Sequence, residues 1–208
     1  MKSKFKQYIV IILTLNFGLV SFSQSETQKI KAQIAVGVNN PSSGGFVSPF
    51  EAKPVNFPTV NLGIQYMFAD QFGAKLDFGF NRFSNANNSP EFKINYSRVN
   101  LQFVYDAKKT LTFLPERLGV VGHAGPGYTF VKPLGDYTDN NLSFFNVIAG
   151  IEFHYYLNER LSLIADTSYI YGFAKDFNPV SDGLGSFNGN LFTLTFGVSF
   201  SLSGCQYC

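Results

Sequence analysis

The sequence predicts an all-β fold, an eight-stranded antiparallel up-and-down transmembrane β-barrel, from three observations. Apolar residues alternate with small or polar ones through eight segments, and a period of two is that of a β-strand. The two most regular segments lie within residues 144–173 and have about 13 residues each, whereas strands of soluble sheets usually have about 5 to 6. The connections are alternately short and long. An even number of strands with this alternation is typical of a single-chain membrane barrel.

Residues 1–23 are predicted to form a cleaved signal peptide, which is set aside from the fold. Three lysines precede an apolar stretch over residues 8–20, and residues 21–23 (SFS) provide a cleavage site with small side chains. The stretch is too short for a spanning helix, and an uncleaved anchor is the alternative. Cleavage would remove three of the 16 basic residues and no acidic ones, leaving a charge of about −1. This balance gives no indication of nucleic-acid binding.

The predicted barrel occupies residues 24–203 and begins with four strands of alternating character. They are predicted at residues 29–39, 58–68, 72–81 and 93–105. The fourth is the least regular, because Ile94 and Tyr96 are out of phase with the apolar residues that follow them. A β-bulge near Ser97 and Arg98 would bring both halves of this strand into one phase.

The second half of the barrel contains the most regular hairpin, formed by the sixth and seventh strands around a turn at residues 158–160. The last four strands are predicted at residues 118–131, 144–157, 161–173 and 190–202. Pro126 lies in the middle of the fifth strand, where a proline is costly, so we expect a kink or bulge there. The long loops between strands are rich in Gly, Asn, Ser and Pro and cover residues 40–57, 84–92, 132–143 and 174–189.

The alternation alone also fits a soluble sandwich or a lipocalin-like barrel, which would turn the apolar face inward. Two features favour the membrane. The polar face is mostly Gly, Ser, Thr, Asn and Gln, whereas about 25–35% of a water-facing surface is charged. The apolar face also carries aromatic residues at both ends, like the interfacial girdles of membrane barrels. The predicted girdles are Phe68, Phe72, Tyr105, Tyr155 and Phe200 near the short turns, and Phe80, Phe130, Phe145, Tyr169, Tyr171 and Phe192 near the long loops.

Seven ionisable residues on the polar face are the candidate site, predicted as a structural polar network of the lumen: Lys31, Lys75, Asp77, His123, Glu152, His154 and Asp166. A proton relay, a hydrolase site or a cation pathway would be the functional alternatives. An eight-stranded barrel has room inside only for side chains, which favours a plug of ion pairs. Two histidines with carboxylates are weak evidence for a metal, and no Gly-rich phosphate loop opens a helix. The sequence therefore predicts no cofactor, no metal and no catalytic residue.

Residues 204–208 are predicted to be a short periplasmic tail that carries Cys205 and Cys208 as a C-x-x-C pair. This pair has no βαβ context, which a thioredoxin motif would need, and no neighbouring Cys or His that would complete a zinc site. We expect it to be structurally idle, in reduced or oxidised form. The alternative is a tail that leads into a further periplasmic domain.

Several motifs carry a resemblance to a known family: a signal ending in SFSQ, eight strands rich in Phe and Tyr, GHAGPGYTF before a long loop, and GVSFSL closing the last strand. The chain resembles the outer-membrane β-barrel proteins of Bacteroidota, which are similar to the OmpA transmembrane domain and to small porin-family barrels. The resemblance implies an integral protein of the Gram-negative outer membrane, surrounded by outer-membrane lipid. It also implies the barrel-assembly machinery as a partner in biogenesis, although six residues follow the closing segment.

Three classes of function remain, of which an integral envelope protein with structural or surface-interaction roles is favoured. A narrow channel for small solutes or ions is the second class, and a lipid-modifying barrel enzyme is the third. The outer face has no Ser beside a His, which argues against the enzyme. The long loops offer the largest external surfaces, with an unidentified partner. Their aromatic residues are Phe46, Phe50, Phe57, Tyr137, Phe177 and Phe187.

Overall fold

The computed structural model describes residues 29–202 and shows a closed barrel in which eight strands pair in chain order. Each neighbouring pair is antiparallel, and β1 also pairs with β8 to close the sheet. The predicted fold class is therefore confirmed. The strands are β1 (Ile30–Pro41), β2 (Asn56–Met67), β3 (Phe72–Ser84), β4 (Lys93–Asp106), β5 (Leu118–Leu134), β6 (Leu142–Tyr156), β7 (Leu161–Gly172) and β8 (Leu191–Ser201).

Four connections lie at one end of the barrel and three at the other, the short-turn end, where residues 68–71 and 157–160 form short turns and residues 107–117 form a longer link. Loop 1 (residues 42–55), loop 2 (85–92), loop 3 (135–141) and loop 4 (173–190) lie at the end that the sequence assigns to the cell exterior. The predicted signal peptide, residues 1–23, and the predicted tail with Cys205 and Cys208 lie outside the described residues. No helix between residues 29 and 202 is long and apolar enough to cross a membrane.

The bulge predicted near Ser97 and Arg98 was wrong. β3 and β4 keep one register over their whole length, from Phe72 opposite Tyr105 to Ser84 opposite Lys93. Ile94 and Tyr96 therefore point into the barrel, in phase with Arg98, and both are fully buried. The physical reason is that the interior changes character along its axis, from polar at mid-height to apolar near the loops, so an apolar residue there does not face lipid.

A kink or bulge was expected at Pro126, and the structure has no bulge there. β5 is one strand of 17 residues, and its register with β6 is constant from Leu118 opposite Tyr155 to Val131 opposite Leu142. Pairing with β4 pauses only between Asn100 and Phe103, beside Pro126. Because proline lacks one N–H group, it interrupts the ladder on one side without changing the strand's phase.

The outward face is apolar around the barrel, and the inward face is mostly polar at mid-height. An exposed apolar surface that continues around the whole barrel is unusual for a soluble monomer, which rarely exposes more than a few hundred Å² of apolar surface in one patch. At the centre of the outward face, the described strands carry no Lys, Arg, Asp or Glu. Most of the predicted girdle residues are exposed at the two edges, including Phe68, Tyr155 and Phe200 at one end and Phe145, Tyr171 and Phe192 at the other. This surface matches the hydrocarbon layer of a membrane.

A basic residue at the centre of this outward face is expected to destabilise the barrel. Leu101 is 60% exposed and lies midway along β4. The substitution Leu101→Arg should lower the free energy of unfolding in lipid vesicles by about 2–4 kcal/mol, the usual cost of a basic side chain at the bilayer midplane. Urea unfolding of the barrel in lipid vesicles measures this change.

The matched control is Val55→Arg in loop 1, where the side chain is similarly exposed at 63%. Because this position lies among exposed loop residues, the free energy of unfolding should change by less than about 0.5 kcal/mol. Equal effects of the two substitutions would show that the outward face does not contact lipid.

Candidate functional site

The centre of the lumen is organised around Glu152 on β6. Its carboxylate accepts a hydrogen bond from Gln33 Nε2 of β1 at 2.7 Å and one from Lys75 Nζ of β3 at 3.2 Å. His154 Nε2 lies 2.5 Å from Glu152 Oε1, and the other ring nitrogen of His154 is 3.1 Å from Ser162 Oγ. All of these side chains are buried. One carboxylate thus joins strands from opposite walls of the barrel.

A second ion pair, between Arg98 and Asp77, connects β4 with β3. The Arg98 guanidinium also donates to Asn100 Oδ1 and Asn61 Oδ1, each at 3.1 Å. Gly79 lies directly opposite Arg98 in the register, and a Cβ atom there would lie only 2.7 Å from the guanidinium carbon. The absence of a side chain at residue 79 therefore makes room for the largest buried group of the lumen.

Hydrogen bonds continue from this ion pair towards the external end. Asn100 Nδ2 donates to Asn146 Oδ1 at 2.6 Å, and Asn146 Nδ2 donates to Thr129 Oγ1 at 2.9 Å. The Tyr96 hydroxyl lies 3.1 Å from the same threonine oxygen. Polar side chains thus link the neighbouring strands β4, β5 and β6 inside the barrel.

The third cluster contains His123, Asp166 and Ser168. His123 Nε2 lies 2.6 Å from Asp166 Oδ2, and Ser168 Oγ donates to Asp166 Oδ1 at 2.6 Å. In a serine hydrolase the nucleophilic hydroxyl bonds to the histidine, which the carboxylate then orients. Here the carboxylate lies between the other two groups, and no hydrogen bond joins the serine to the imidazole. This arrangement lacks the geometry of a nucleophilic triad.

Six of the seven predicted site residues come together in the lumen, and Lys31 does not. Lys31 is only partly buried and lies at the short-turn mouth, below the others. Arg98 was missed, although it has the same phase on β4 as Asn100 and Gln102. The alternation along β4 would have identified Arg98 as inward-facing, but the predicted bulge placed this residue at an irregular position. We define the polar network as Gln33, Lys75, Asp77, Arg98, Asn100, His123, Asn146, Glu152, His154, Asp166 and Ser168.

Little space remains within the polar network. The cavity lined by Lys75, Asp77, Arg98, Glu152 and Asp166 has a volume of about 20 Å³. A single water molecule needs roughly 10–15 Å³ by the same measure. No group of three or more His, Cys, Asp or Glu side chains within residues 29–202 is arranged to hold a metal ion. The geometry supports hydrogen bonding and charge compensation between walls, without space for a substrate.

Apolar side chains fill the external end of the barrel above the polar network, and we call this cluster the aromatic cap. Phe187 of loop 4 is fully buried, and its ring centroid lies 4.8 Å from that of Phe46 and 5.2 Å from that of Phe83. All four loops contribute, and the cap comprises Phe46, Phe50, Phe83, Phe92, Ile94, Tyr96, Val131, Tyr137, Phe144, Ile148, Ile170, Leu184, Phe187 and Leu191. Phe46, Phe50, Tyr137 and Phe187 therefore pack in this mouth, and only Phe57 among the loop aromatics named above is strongly exposed.

The short-turn end has a different shape, an open vestibule of about 1020 Å³ that includes Lys31, Asp106, Arg117 and Tyr156 in its walls. Its floor meets a small buried apolar cluster of Met67, Val104 and Val121. At its rim, Lys109 Nζ donates to Asp70 Oδ2 at 2.5 Å. This hydrogen bond and the positive charge of Lys109 lower the pKa of Asp70 from its ordinary value, although both side chains are mostly exposed.

The Arg98–Asp77 pair provides a test of how strongly the buried charges of the polar network stabilise one another. Asp77→Asn should lower the free energy of unfolding by about 3–5 kcal/mol, because it leaves the buried guanidinium without a counter-charge. The double variant Asp77→Asn/Arg98→Met should recover much of this loss. Urea unfolding of both single variants and the double variant completes the cycle. Additive effects of the two substitutions would contradict a direct charge pairing in the lumen.

Comparison with known proteins extends these observations at the level of the fold. No protein-family model and no curated protein matches the chain. Among solved structures, Neisserial surface protein A matches 86% of this chain and 100% of its own, with a TM-score of 0.58 and 13% identity. A major outer membrane protein from Thermus thermophilus matches 83% of this chain and 98% of its own, with a TM-score of 0.56 and 12% identity.

The outer membrane protein OprG from Pseudomonas aeruginosa is a third match, covering 84% of this chain and 97% of its own with a TM-score of 0.53 and 14% identity. At these identities the likeness concerns the fold, and the bacterial phylum stays a prediction. The apolar outward face and the aromatic girdles independently match a bilayer. The chain has the fold of these eight-stranded outer-membrane β-barrels, with an outward face that fits a bilayer.

Proposed function

We propose that this protein is a closed barrel whose lumen is plugged by its own side chains, and that it serves envelope structure or surface interaction through its external loops. The observation that supports the proposal is that side chains fill the lumen at two heights. The polar network occupies mid-height around Glu152 and Arg98, and the aromatic cap fills the external mouth around Phe187. A solute entering from either end would have to displace buried, paired charges or packed rings.

Opening the lumen would cost the most free energy at its buried charges. Removing one partner of a buried ion pair costs about 3–5 kcal/mol, and the lumen contains both Lys75–Glu152 and Arg98–Asp77. A channel that opened by separating these pairs would need to replace the lost interactions with water. The cavity of about 20 Å³ between them provides almost no room for such water. A permanently closed lumen therefore requires the least rearrangement.

The external loops support the second part of the proposal, because hydrogen bonds hold them against one another. Asn140 Nδ2 of loop 3 donates to Ser181 O and Leu184 O of loop 4, at 3.1 and 2.8 Å. The Glu51 backbone N–H of loop 1 donates to Ser89 Oγ of loop 2 at 2.9 Å. Loops tied in this way present a fixed surface, which lowers the entropy cost of binding a partner. Val55 and Val180 are exposed apolar side chains on that surface.

Catalysis is not part of the proposed role. The cluster of His123, Asp166 and Ser168 has the wrong order for a nucleophilic triad, and the polar network leaves no space for a substrate. Outer-membrane lipid would surround the barrel, and the barrel-assembly machinery would insert it. The second candidate, a narrow channel for small solutes or ions, is favoured by one observation, the open vestibule of about 1020 Å³ at the short-turn end.

Single-channel recording in a planar bilayer separates the two candidates. The refolded protein should give no discrete conductance steps, because the polar network closes the lumen at mid-height. Phe187→Ala should stay equally silent, since it thins the aromatic cap and leaves the network below intact. Heat-modifiable gel migration confirms folding, and flotation of the protein with lipid vesicles confirms insertion.

The exposed loop substitution Val180→Ala serves as the matched control for Phe187→Ala. Discrete conductance of the unmodified protein, changed in size by Glu152→Ala or Asp166→Ala, would contradict the plugged lumen and establish a channel instead. Conductance that is unchanged by both substitutions would not pass through the polar network and would point to leakage at the boundary between barrel and lipid.

A further inference from the structure

Three basic side chains on the external half of the barrel face outward. Arg82 lies on β3, Lys93 on β4 and Lys132 on β5, and all three are exposed. Among the outward positions of the described strands, these are the only cations. The rest of the outward face carries apolar, aromatic or small polar residues. We call these three residues the external basic row.

The strand register brings the external basic row together, although 50 residues separate its ends in sequence. Asn95 of β4 lies opposite Arg82 on one side and opposite Lys132 on the other. Directly opposed residues are about 4.5–5.5 Å apart, so Arg82 and Lys132 flank Asn95 at roughly 10 Å from each other. Lys93 follows two residues away on the same face of β4. The three cations therefore form one patch.

The position of the row along the barrel axis corresponds to the headgroup region of a membrane. Arg82 and Lys132 each lie two residues beyond an aromatic residue of the external girdle, Phe80 and Phe130. Ten residues separate Arg82 from Phe72 in the opposite girdle. At about 3.4 Å per residue and a tilt near 45°, this spacing spans roughly 24 Å, close to the 25 Å apolar band of a membrane barrel.

Two contacts hold the Arg82 side chain in position. Its Nε donates to Asn95 Oδ1 at 3.0 Å, and its guanidinium lies 5.8 Å from the centre of the Phe80 ring. Within the part of the chain that the structure describes, no ion pair joins Arg82, Lys93 or Lys132 to a carboxylate. Three like charges on neighbouring strands repel one another, so an anion bound between them would lower the energy of the patch.

We propose that the external basic row binds the phosphate group of an anionic lipid in the outer leaflet. A guanidinium matches phosphate through two parallel hydrogen bonds, and each lysine adds a point charge. The row faces sideways at the depth of the headgroups, and the exposed Phe130 and Leu101 continue below it as a surface for acyl chains. This geometry favours a lipid over a soluble anion. The inference requires only the membrane position and is independent of whether the lumen is closed.

Native mass spectrometry of the full barrel in detergent tests the proposal by counting bound lipid molecules. The probes are phosphatidic acid and phosphatidylcholine with the same acyl chains. Each basic residue near an anionic surface contributes a factor of about five in affinity. Arg82→Gln/Lys132→Gln should therefore weaken binding of phosphatidic acid roughly 30-fold and leave phosphatidylcholine unchanged. The charge-retaining variant Arg82→Lys/Lys132→Arg should keep most of the affinity.

The matched control is Lys108→Gln/Lys175→Gln, which removes the same charge at the short-turn end and in loop 4. It should bind phosphatidic acid like the unmodified protein. Equal losses in both double variants, or none in Arg82→Gln/Lys132→Gln, would overturn the proposal. Displacement of phosphatidic acid by an equal concentration of inorganic phosphate would also overturn it, since it would show a site for free anions. If the double variant does not migrate as a folded barrel, Lys132→Gln alone provides the comparison, with about a fivefold loss expected.

Discussion

The structure depends on one constraint, the hydrogen bonding of backbone groups where no water is available. Within a bilayer an unpaired strand edge would leave N–H and C=O groups unsatisfied, at several kcal/mol each. The pairing of β1 with β8 removes both edges of the sheet. Closure with eight strands also fixes the diameter, and this diameter leaves an interior just wide enough for side chains. The filled lumen is therefore a consequence of closure with a small number of strands.

The narrow interior explains why its charges occur in pairs. A lysine or carboxylate at mid-height is desolvated on all sides, so it requires a partner from another strand. Glu152 has partners on β1 and β3, and Asp77 has one on β4. The Glu152 contacts link opposite walls, and the Asp77 contact adds a side-chain link between neighbouring strands. The polar network therefore fixes the side chains of the lumen in one arrangement.

Much of the fold could be predicted because strand alternation and aromatic girdles are properties of the sequence itself. The number of strands and their approximate bounds follow from a period of two. The assumption that every apolar residue faces lipid failed at Ile94 and Tyr96, because the aromatic cap makes the upper lumen apolar. Phe46, Phe50 and Phe187 were misplaced for the same reason. The orientation of a loop residue depends on which loops meet above the barrel, and that is a tertiary property.

The sequence did not predict which side chains pair within the polar network, because these pairs depend on register and shear. Asp77 and Arg98 are 21 residues apart in sequence. Gly79 lies directly opposite Arg98 in the register and leaves room for the guanidinium, which therefore reaches Asp77 two residues along β3. The same dependence on register assembles the external basic row, in which a single asparagine on β4 lies between cations of two other strands. In both cases the register between neighbouring strands decides whether charged residues meet. Inside the barrel, opposite charges meet and compensate each other. On the outside, like charges meet at the height of the headgroups, where phosphate can supply the compensation.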